Sequence, residues 1–282
     1  MPLTTTNAML AAAQKNGYAV AAFNCENMEM IQAIIEAGEE MNAPLIFQTT
    51  PSTIRYASAE LFAANVTTVA KKSKIPVALH LDHGNSHELV QDALQAGYTS
   101  IMIDGSHFPL EENIVFTRKA VELCFKSKIP VEGELGRVGG KEDDIESEDF
   151  GYTDPDEAVR FVKETGVSSL AVGVGTAHGI YAKKPMLNHE LISILRNKLT
   201  VPLVLHGSSG LEDAVVKDCI ARGICKVNIA TDLRIAYTQA VREFLQDNPG
   251  CIDPKKFGTA GREAVKKFTM NCIMMCGCQG RA

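Results

Sequence analysis

The segment Val77-Ala78-Leu79-His80-Leu81-Asp82-His83 decides the reading of the fold. Its body is apolar and strand-like, and it ends in ionisable groups where a βα loop would begin. The design recurs. Val201-Pro202-Leu203-Val204-Leu205 closes on His206, and Leu170-Ala171-Val172-Gly173-Val174-Gly175-Thr176-Ala177 leads to His178. In all, eight strands are read, at residues 19–24, 44–49, 77–82, 100–104, 130–135, 168–172, 202–206 and 224–228. Several are near-continuous apolar runs, as parallel strands covered on both faces require.

Helical periodicity fills the intervals. Residues 28–41 place Met30, Ile31, Ile34, Ile35 and Gly38 on one side, and Asp154-Pro155 supplies a cap and a first helical residue for 154–165. Eight βα units with no linker predict an α/β fold, a single (β/α)8 TIM barrel over residues 1–282. Extra helices are expected at 6–16 and 259–276. The runner-up, a doubly wound open sheet, needs a glycine-rich phosphate loop after its first strand, and Phe23-Asn24-Cys25-Glu26-Asn27 has none. The connection 136–153 is long and carries Gly139-Gly140 and Glu142-Asp143-Asp144, which reads as a lid or as a solvated acidic loop.

Composition narrows the function. The 282 residues are 45% apolar, ample for a large core, and the net charge of −6 argues against a nucleic-acid or membrane surface. No apolar run approaches the roughly 20 residues of a membrane span. The first residues lack a basic segment followed by an apolar one, so a cytoplasmic protein is expected. The eight cysteines read as reduced, buried thiols. A second metal on Cys272, Cys276 and Cys278 is disfavoured, because a fourth ligand is missing nearby.

In such a barrel, chemistry gathers where strands end. Asn24, Asp82, His83, Asp104, Glu132, Glu134, His178, His206 and Asn228 all fall on that rim. Taken singly, a strand-end histidine is more often a satisfied hydrogen-bonding group than a ligand. The chain has only seven histidines, however, and His83, His178 and His206 occupy equivalent positions. We therefore expect them to converge on zinc, three protein ligands with an open position being the catalytic arrangement. Adjacent strand residues point in different directions, which puts His83 on the metal and Asp82 toward substrate as a proton donor. His80 is read as barrel interior. Asp104 and Glu134 are candidates for a second metal position or for orienting the histidines, with Glu132 the weaker candidate. Gly207-Ser208-Ser209-Gly210 and Asn228-Ile229-Ala230-Thr231-Asp232, which opens a helix, are expected to cradle phosphate. Gly179 would admit substrate close to the backbone, and Lys184 is a candidate for added positive charge. No lysine is read at a strand position suited to a Schiff base, so imine catalysis is disfavoured. The set suits a metal-stabilised enediolate.

These residues resemble the class II, metal-dependent ketose-bisphosphate aldolases nearly end to end. The resemblance rests on Tyr18-Ala19-Val20-Ala21-Ala22-Phe23-Asn24, Leu79-His80-Leu81-Asp82-His83-Gly84, Met102-Ile103-Asp104-Gly105-Ser106-His107, Val131-Glu132-Gly133-Glu134-Leu135-Gly136, Gly139-Gly140-Lys141-Glu142-Asp143-Asp144, Gly175-Thr176-Ala177-His178-Gly179 and Leu205-His206-Gly207-Ser208-Ser209-Gly210. It implies zinc on His83, His178 and His206, with Asp104 and Glu134 as an alternative metal position. It implies Asp82 acting on the carbon-4 hydroxyl and Glu142 as the loop acid at carbon 3. Gly179, Gly207, Ser208, Ser209, Asn228, Ile229, Ala230 and Thr231 would contact substrate and phosphate, with a monovalent cation, Na+ or K+, nearby. The implied reaction is reversible cleavage of a ketose 1,6-bisphosphate to dihydroxyacetone phosphate and glyceraldehyde 3-phosphate. Ala230 within Lys226-Val227-Asn228-Ile229-Ala230-Thr231-Asp232-Leu233 and the ending Cys276-Gly277-Cys278-Gln279-Gly280-Arg281-Ala282 resemble the tagatose-bisphosphate branch, whereas Gly84 resembles the fructose branch. Ser208 replaces the alanine or glycine usual at its position. The rivals are a metal-dependent sugar-phosphate isomerase and a non-catalytic subunit. The resemblance further implies a homodimer or homotetramer, in some relatives with a companion subunit.

Overall fold

The fold is that of a computed structural model, which describes residues 3–142, 145–147, 151–179 and 185–282, with the backbone alone described at 141–142 and 145–147. The chain begins α1 (Thr6–Asn16), β1 (Val20–Asn24), α2 (Met28–Met41), β2 (Leu45–Thr49), α3 (Pro51–Ala57), α4 (Ala59–Lys72) and β3 (Val77–Gly84). It continues α5 (His87–Ala96), β4 (Ser100–Ile103), α6 (Leu110–Phe125), β5 (Val131–Leu135), β6 (Gly139–Glu142), β7 (Ile145–Ser147), α7 (Pro155–Thr165), β8 (Ser169–Val172) and β9 (Ala177–His178). It ends α8 (His189–Lys198), β10 (Leu203–Leu205), α9 (Asp213–Ala221), β11 (Ile224–Ile229), α10 (Thr231–Asp247) and α11 (Pro254–Cys276).

Eight of the strands close into a barrel in the order β1-β11-β10-β8-β5-β4-β3-β2, every pairing parallel. Closure excludes the open doubly wound sheet and gives the (β/α)8 architecture. Local signals explain the elements. Asn27 caps α2 by accepting from the Met30 N–H at 2.9 Å, and Asp154 caps α7 by accepting from the N–H groups of Asp156 and Glu157, with Pro155 as its first residue. The last helix starts at Pro254, not at Thr259 as the periodicity suggested. The same Asp-Pro device acts there: the Asp253 side chain accepts from the Lys255 N–H. The connection 136–153 is not wholly irregular. It holds the antiparallel pair β6–β7, and β6 also pairs in parallel with β9.

Between barrel and helices lies one large apolar cluster drawn from both layers. The barrel interior is different. Met102, Ala171 and Val204 form a small apolar group there, each fully buried. In register beside Met102 and Val204 stand Glu132 and Lys226, at 2% and 0% exposure, and His80, at 0%, pairs with Ser100 of β4. Lys226 thus lies inside β11, which corrects the expectation that no strand carries a lysine. Its Nζ is 3.0 and 3.2 Å from the two Glu132 carboxylate oxygens, so it is engaged in an ion pair, and imine chemistry gains no support.

One irregularity positions the site. The register of β3 against β4 shifts between Leu81 and Gly84, and His83 adopts a left-handed φ of +48°. Non-glycine residues adopt that conformation uncommonly, histidine more readily than most. The shift breaks the alternation of the strand, so Asp82 and His83 reach the same end of the barrel instead of opposite faces. Gly84 completes the device: a Cβ there would stand 2.6 Å from the Met102 carbonyl oxygen of β4. That oxygen is backbone and cannot rotate away. Gly84→Ala is expected to destabilise the fold by about 1–3 kcal/mol, the usual range for overpacking. Thermal unfolding checks this; an unchanged Tm would contradict the close approach.

Candidate active site

Nearly every group on the rim is carried by a strand end. His83 ends β3 on its left-handed bulge, His206 follows β10, and His178 sits on β9, a two-residue strand beyond β8. The three rings meet. Their centroids are 4.7 Å apart for His83–His206, 5.1 Å for His83–His178 and 6.0 Å for His178–His206. One ring nitrogen from each lies within 4.8 Å of the others. A second group of ligand atoms, from His83, Asp104 and Glu134, satisfies the same limit, and among the described residues no such group includes a cysteine.

For His83 and His206 the neighbours set the role of each ring nitrogen. His83 Nδ1 is 2.8 Å from Asp104 Oδ2, leaving Nε2 to face His206 Nδ1 at 2.9 Å. His206 turns its other nitrogen, Nε2, to Glu132 Oε1 at 3.0 Å. Asp104 therefore orients His83 here, while Glu132, the weaker sequence candidate, orients His206. Glu134 behaves differently. Its Oε2 is buried, has no hydrogen-bond partner, and lies 3.6 Å from His206 Nδ1.

The electrostatics favour a cation at this point. Burial opposes charge on His83, yet Asp82, Asp104 and Glu134 together hold its pKa well above the ordinary imidazole value. Burial would also raise Asp104, but the His83 hydrogen bond and charge hold it below the usual carboxylate range. Glu134 goes the other way, pushed well above that range by burial and by Asp104 beside it. Burial lowers the pKa of His206, despite Glu132. Three converging nitrogens, an orphaned buried carboxylate oxygen and a negative surround fit zinc, whose protein ligands are N, S and O donors.

Asp82 lies beside this cluster and is fully buried. Three amides converge on it. Asn24 Nδ2 donates to Oδ2 at 2.8 Å, Gln48 Nε2 to the same oxygen at 3.3 Å, and Asn228 Nδ2 to Oδ1 at 3.0 Å. Gln48 was not singled out in the sequence, although it is the one amide in the apolar strand β2. Gln48 Oε1 and Asn228 Oδ1 are buried without hydrogen-bond partners, so the site keeps two acceptors beside the carboxylate.

The profile of the family described as fructose-bisphosphate aldolase class-II matches residues 4–281. The chain belongs to that family. It is an aldolase, a lyase of a class that generally depends on zinc. Solved structures agree. The YdjI aldolase from Escherichia coli K12 shares 38% identity over 99% of both chains with a TM-score of 0.90. A putative fructose-1,6-biphosphate aldolase from Coccidioides immitis shares 29% identity over 97% of this chain and 96% of that one, with a TM-score of 0.90. The Campylobacter jejuni fructose-bisphosphate aldolase, at 24% identity over 100% of this chain and 97% of that one, has the same fold with a TM-score of 0.85.

In the aldolase the two loops expected to bind phosphate are tied together. The Gly210 N–H donates to Asp232 Oδ2 at 2.8 Å, and the Asp232 N–H faces Ser209 Oγ at 3.4 Å. The Ser208 hydroxyl is spent on the Asn228 carbonyl oxygen at 2.5 Å, which leaves its backbone as the group able to meet a ligand. Ile229 and Ala230 are buried, so they too offer backbone, and Ala230 provides no side-chain cap to α10. Thr231 opens that helix and is half-buried. Gly179 directly follows His178 at φ +83°. The backbone of Glu142 lies in β6, its side chain is outside the described residues, and Lys184 lies outside them altogether. No described helix is long and apolar enough to cross a membrane.

Gly207 links the loop to the metal-ligand candidates. It holds φ +65°, and a Cβ on it would lie 2.6–2.9 Å from the backbone of Ala177, next to His178. Gly207→Ala is expected to displace His178 and to lower aldolase turnover by about 10²-fold, the effect of a misplacement near 1 Å. Steady-state kinetics with circular dichroism separates this from unfolding. Full activity in the variant would show that His178 tolerates the shift.

Proposed function

We propose that the enzyme catalyses reversible aldol cleavage of a ketose 1,6-bisphosphate to dihydroxyacetone phosphate and glyceraldehyde 3-phosphate, with tagatose 1,6-bisphosphate favoured over fructose 1,6-bisphosphate. The observation that carries the reading is the juxtaposition of three imidazole nitrogens with a carboxylate gripped by three amides. We assign zinc to His83, His178 and His206, with Asp104 and Glu134 flanking it. Zinc held there supplies positive charge against which a ketone oxygen can accumulate negative charge as a neighbouring bond breaks.

The chain's own groups do the rest. Asn24, Gln48 and Asn228 fix the Asp82 carboxylate at one orientation. Asp82 takes the proton from the carbon-4 hydroxyl, the C3–C4 bond breaks, and the carbon-4 fragment leaves as the aldehyde. The electron pair stays with the three-carbon fragment. Glu142 delivers a proton to carbon 3, giving dihydroxyacetone phosphate, and the steps reverse in condensation. The acceptors Gln48 Oε1 and Asn228 Oδ1 suit sugar hydroxyls. The uncapped N-terminus of α10 and the 207–210 loop suit a phosphate, with a monovalent cation, Na+ or K+, beside them. The resemblance supports a homodimer or homotetramer.

Ala230 and the terminal Cys276–Ala282 segment support the tagatose assignment, and Gly84 supports fructose. Side-by-side kcat/KM values on the two bisphosphates decide between them; a higher value on fructose 1,6-bisphosphate overturns the choice. Asp82→Ala is expected to lower kcat by about 10²–10⁴-fold while the protein keeps its zinc. Near-normal cleavage by that variant would remove Asp82 from the mechanism. Formation of an isomeric sugar phosphate without triose phosphate would replace the aldolase reaction by isomerisation.

A further inference from the structure

A column of buried polar groups runs through the barrel beneath the site, and the aldolase reaction as proposed does not use it. Thr6 Oγ1 of α1 meets Ser100 Oγ at 3.0 Å, and Ser100 Oγ meets His80 Nδ1 at 2.8 Å. His80 Nε2 is 3.4 Å from Lys226 Nζ, Lys226 binds both oxygens of Glu132, and Glu132 Oε1 meets His206 Nε2. Thr6 is 3% exposed, and the other five members are at or below 2%. A TIM barrel normally fills this volume with branched apolar side chains. Burying an ion pair in their place gives weak stability at best, so its retention points to another use.

We infer that the Glu132–Lys226 pair is a positioning device that sets the tautomer and the direction of His206, presenting Nδ1 to the metal. The inference rests on the zinc assignment to His206 made above. Both carboxylate oxygens of Glu132 accept from Lys226, so Glu132 is a pure acceptor. An acceptor 3.0 Å from a ring nitrogen requires a proton between them, and the ring must carry it on Nε2. Asn228 Nδ2 lies 3.2 Å from the same nitrogen and gives one of its two hydrogens to Asp82 at 3.0 Å; the single in-plane position of Nε2 goes to the closer contact, the 3.0 Å one to Glu132, which has no hydrogen to give. With Nε2 protonated, Nδ1 carries the free lone pair, and it faces the cluster. Lys226 locks the carboxylate bidentately, and His80, backed by Ser100 and Thr6, holds Lys226 from below. Glu132 and Lys226 touch neither substrate nor reacting atoms; they act through His206.

The test separates positioning from mere structure. Glu132→Leu with Lys226→Met removes both charges at similar volume and is expected to fold with a Tm at or above that of the parent. Its affinity for Zn2+ alone, from competition with a chelator, is expected to fall 10–100-fold, and the visible absorption of its Co2+ form to change. Glu132→Gln with Lys226→Met restores a neutral acceptor and is expected to recover most of that affinity. Parental Zn2+ affinity in the Leu/Met variant, or no recovery in the Gln/Met variant, overturns the inference. Should either variant fail to fold, imidazole 15N spectra of the unsubstituted protein without metal give the answer: His206 protonated on Nε2 supports the inference and protonation on Nδ1 overturns it. That readout stands apart from the zinc assignment, which fails if the unsubstituted protein binds no Zn2+.

Discussion

The site depends on the left-handed bulge at His83. A regular strand would send Asp82 inward and His83 out among the helices. The left-handed residue and the register shift at the end of β3 bring both to the mouth of the barrel, where His83 meets His178 and His206 and Asp82 meets its three amides. Such strain persists only where the surroundings over-determine it. Here they do: Asp104 grips Nδ1 of the ring, and Gly84 lets β3 lie against the Met102 carbonyl. The proposed acid–base group and a metal-ligand candidate are thereby fixed relative to each other by one backbone feature.

The rest of the site is arranged by charge. Asp104, Glu132 and Glu134 all lie within reach of the imidazoles, yet they meet two different fates. Asp104 and Glu132 are held ionised by partners, His83 for one and Lys226 with His206 for the other, in spite of burial. Glu134 has an unpartnered oxygen and is pushed toward its neutral form. One carboxylate with spare valence beside three nitrogens is what a site for a divalent ion needs if it is to offer more than one ligand set. The small sheet β7-β6-β9 adds a mechanical link, since the strand that bears the backbone of Glu142 pairs with the strand that bears His178.

Much of this was legible beforehand, for identifiable reasons. Parallel strands buried on both faces are written as apolar runs, and the start of α7 as an Asp-Pro cap, so the barrel could be read directly, whereas the same cap at Asp253-Pro254 starts the last helix ahead of its apolar periodicity. The rim histidines stood out because three of only seven histidines fall at equivalent ends of apolar runs far apart in the chain. The hairpin of β6 and β7 was not legible, since its glycines and acids carry no strand pattern and its order comes from pairing with His178. Lys226 was passed over because its neighbours Ile224, Cys225 and Val227 are apolar, and the ion pair that stabilises it comes from a strand more than ninety residues away. The direction of His83 was beyond reach, because alternation is a rule for regular strands and a bulge leaves no signature in composition.

The central claim is that three imidazoles, with no thiolate, hold the catalytic ion. X-ray absorption at the zinc edge of the loaded enzyme tests it most directly. The account predicts three nitrogen scatterers at about 2.0–2.1 Å with imidazole outer-shell features and an additional oxygen. A sulfur shell at about 2.3 Å would place the metal on cysteine and contradict it.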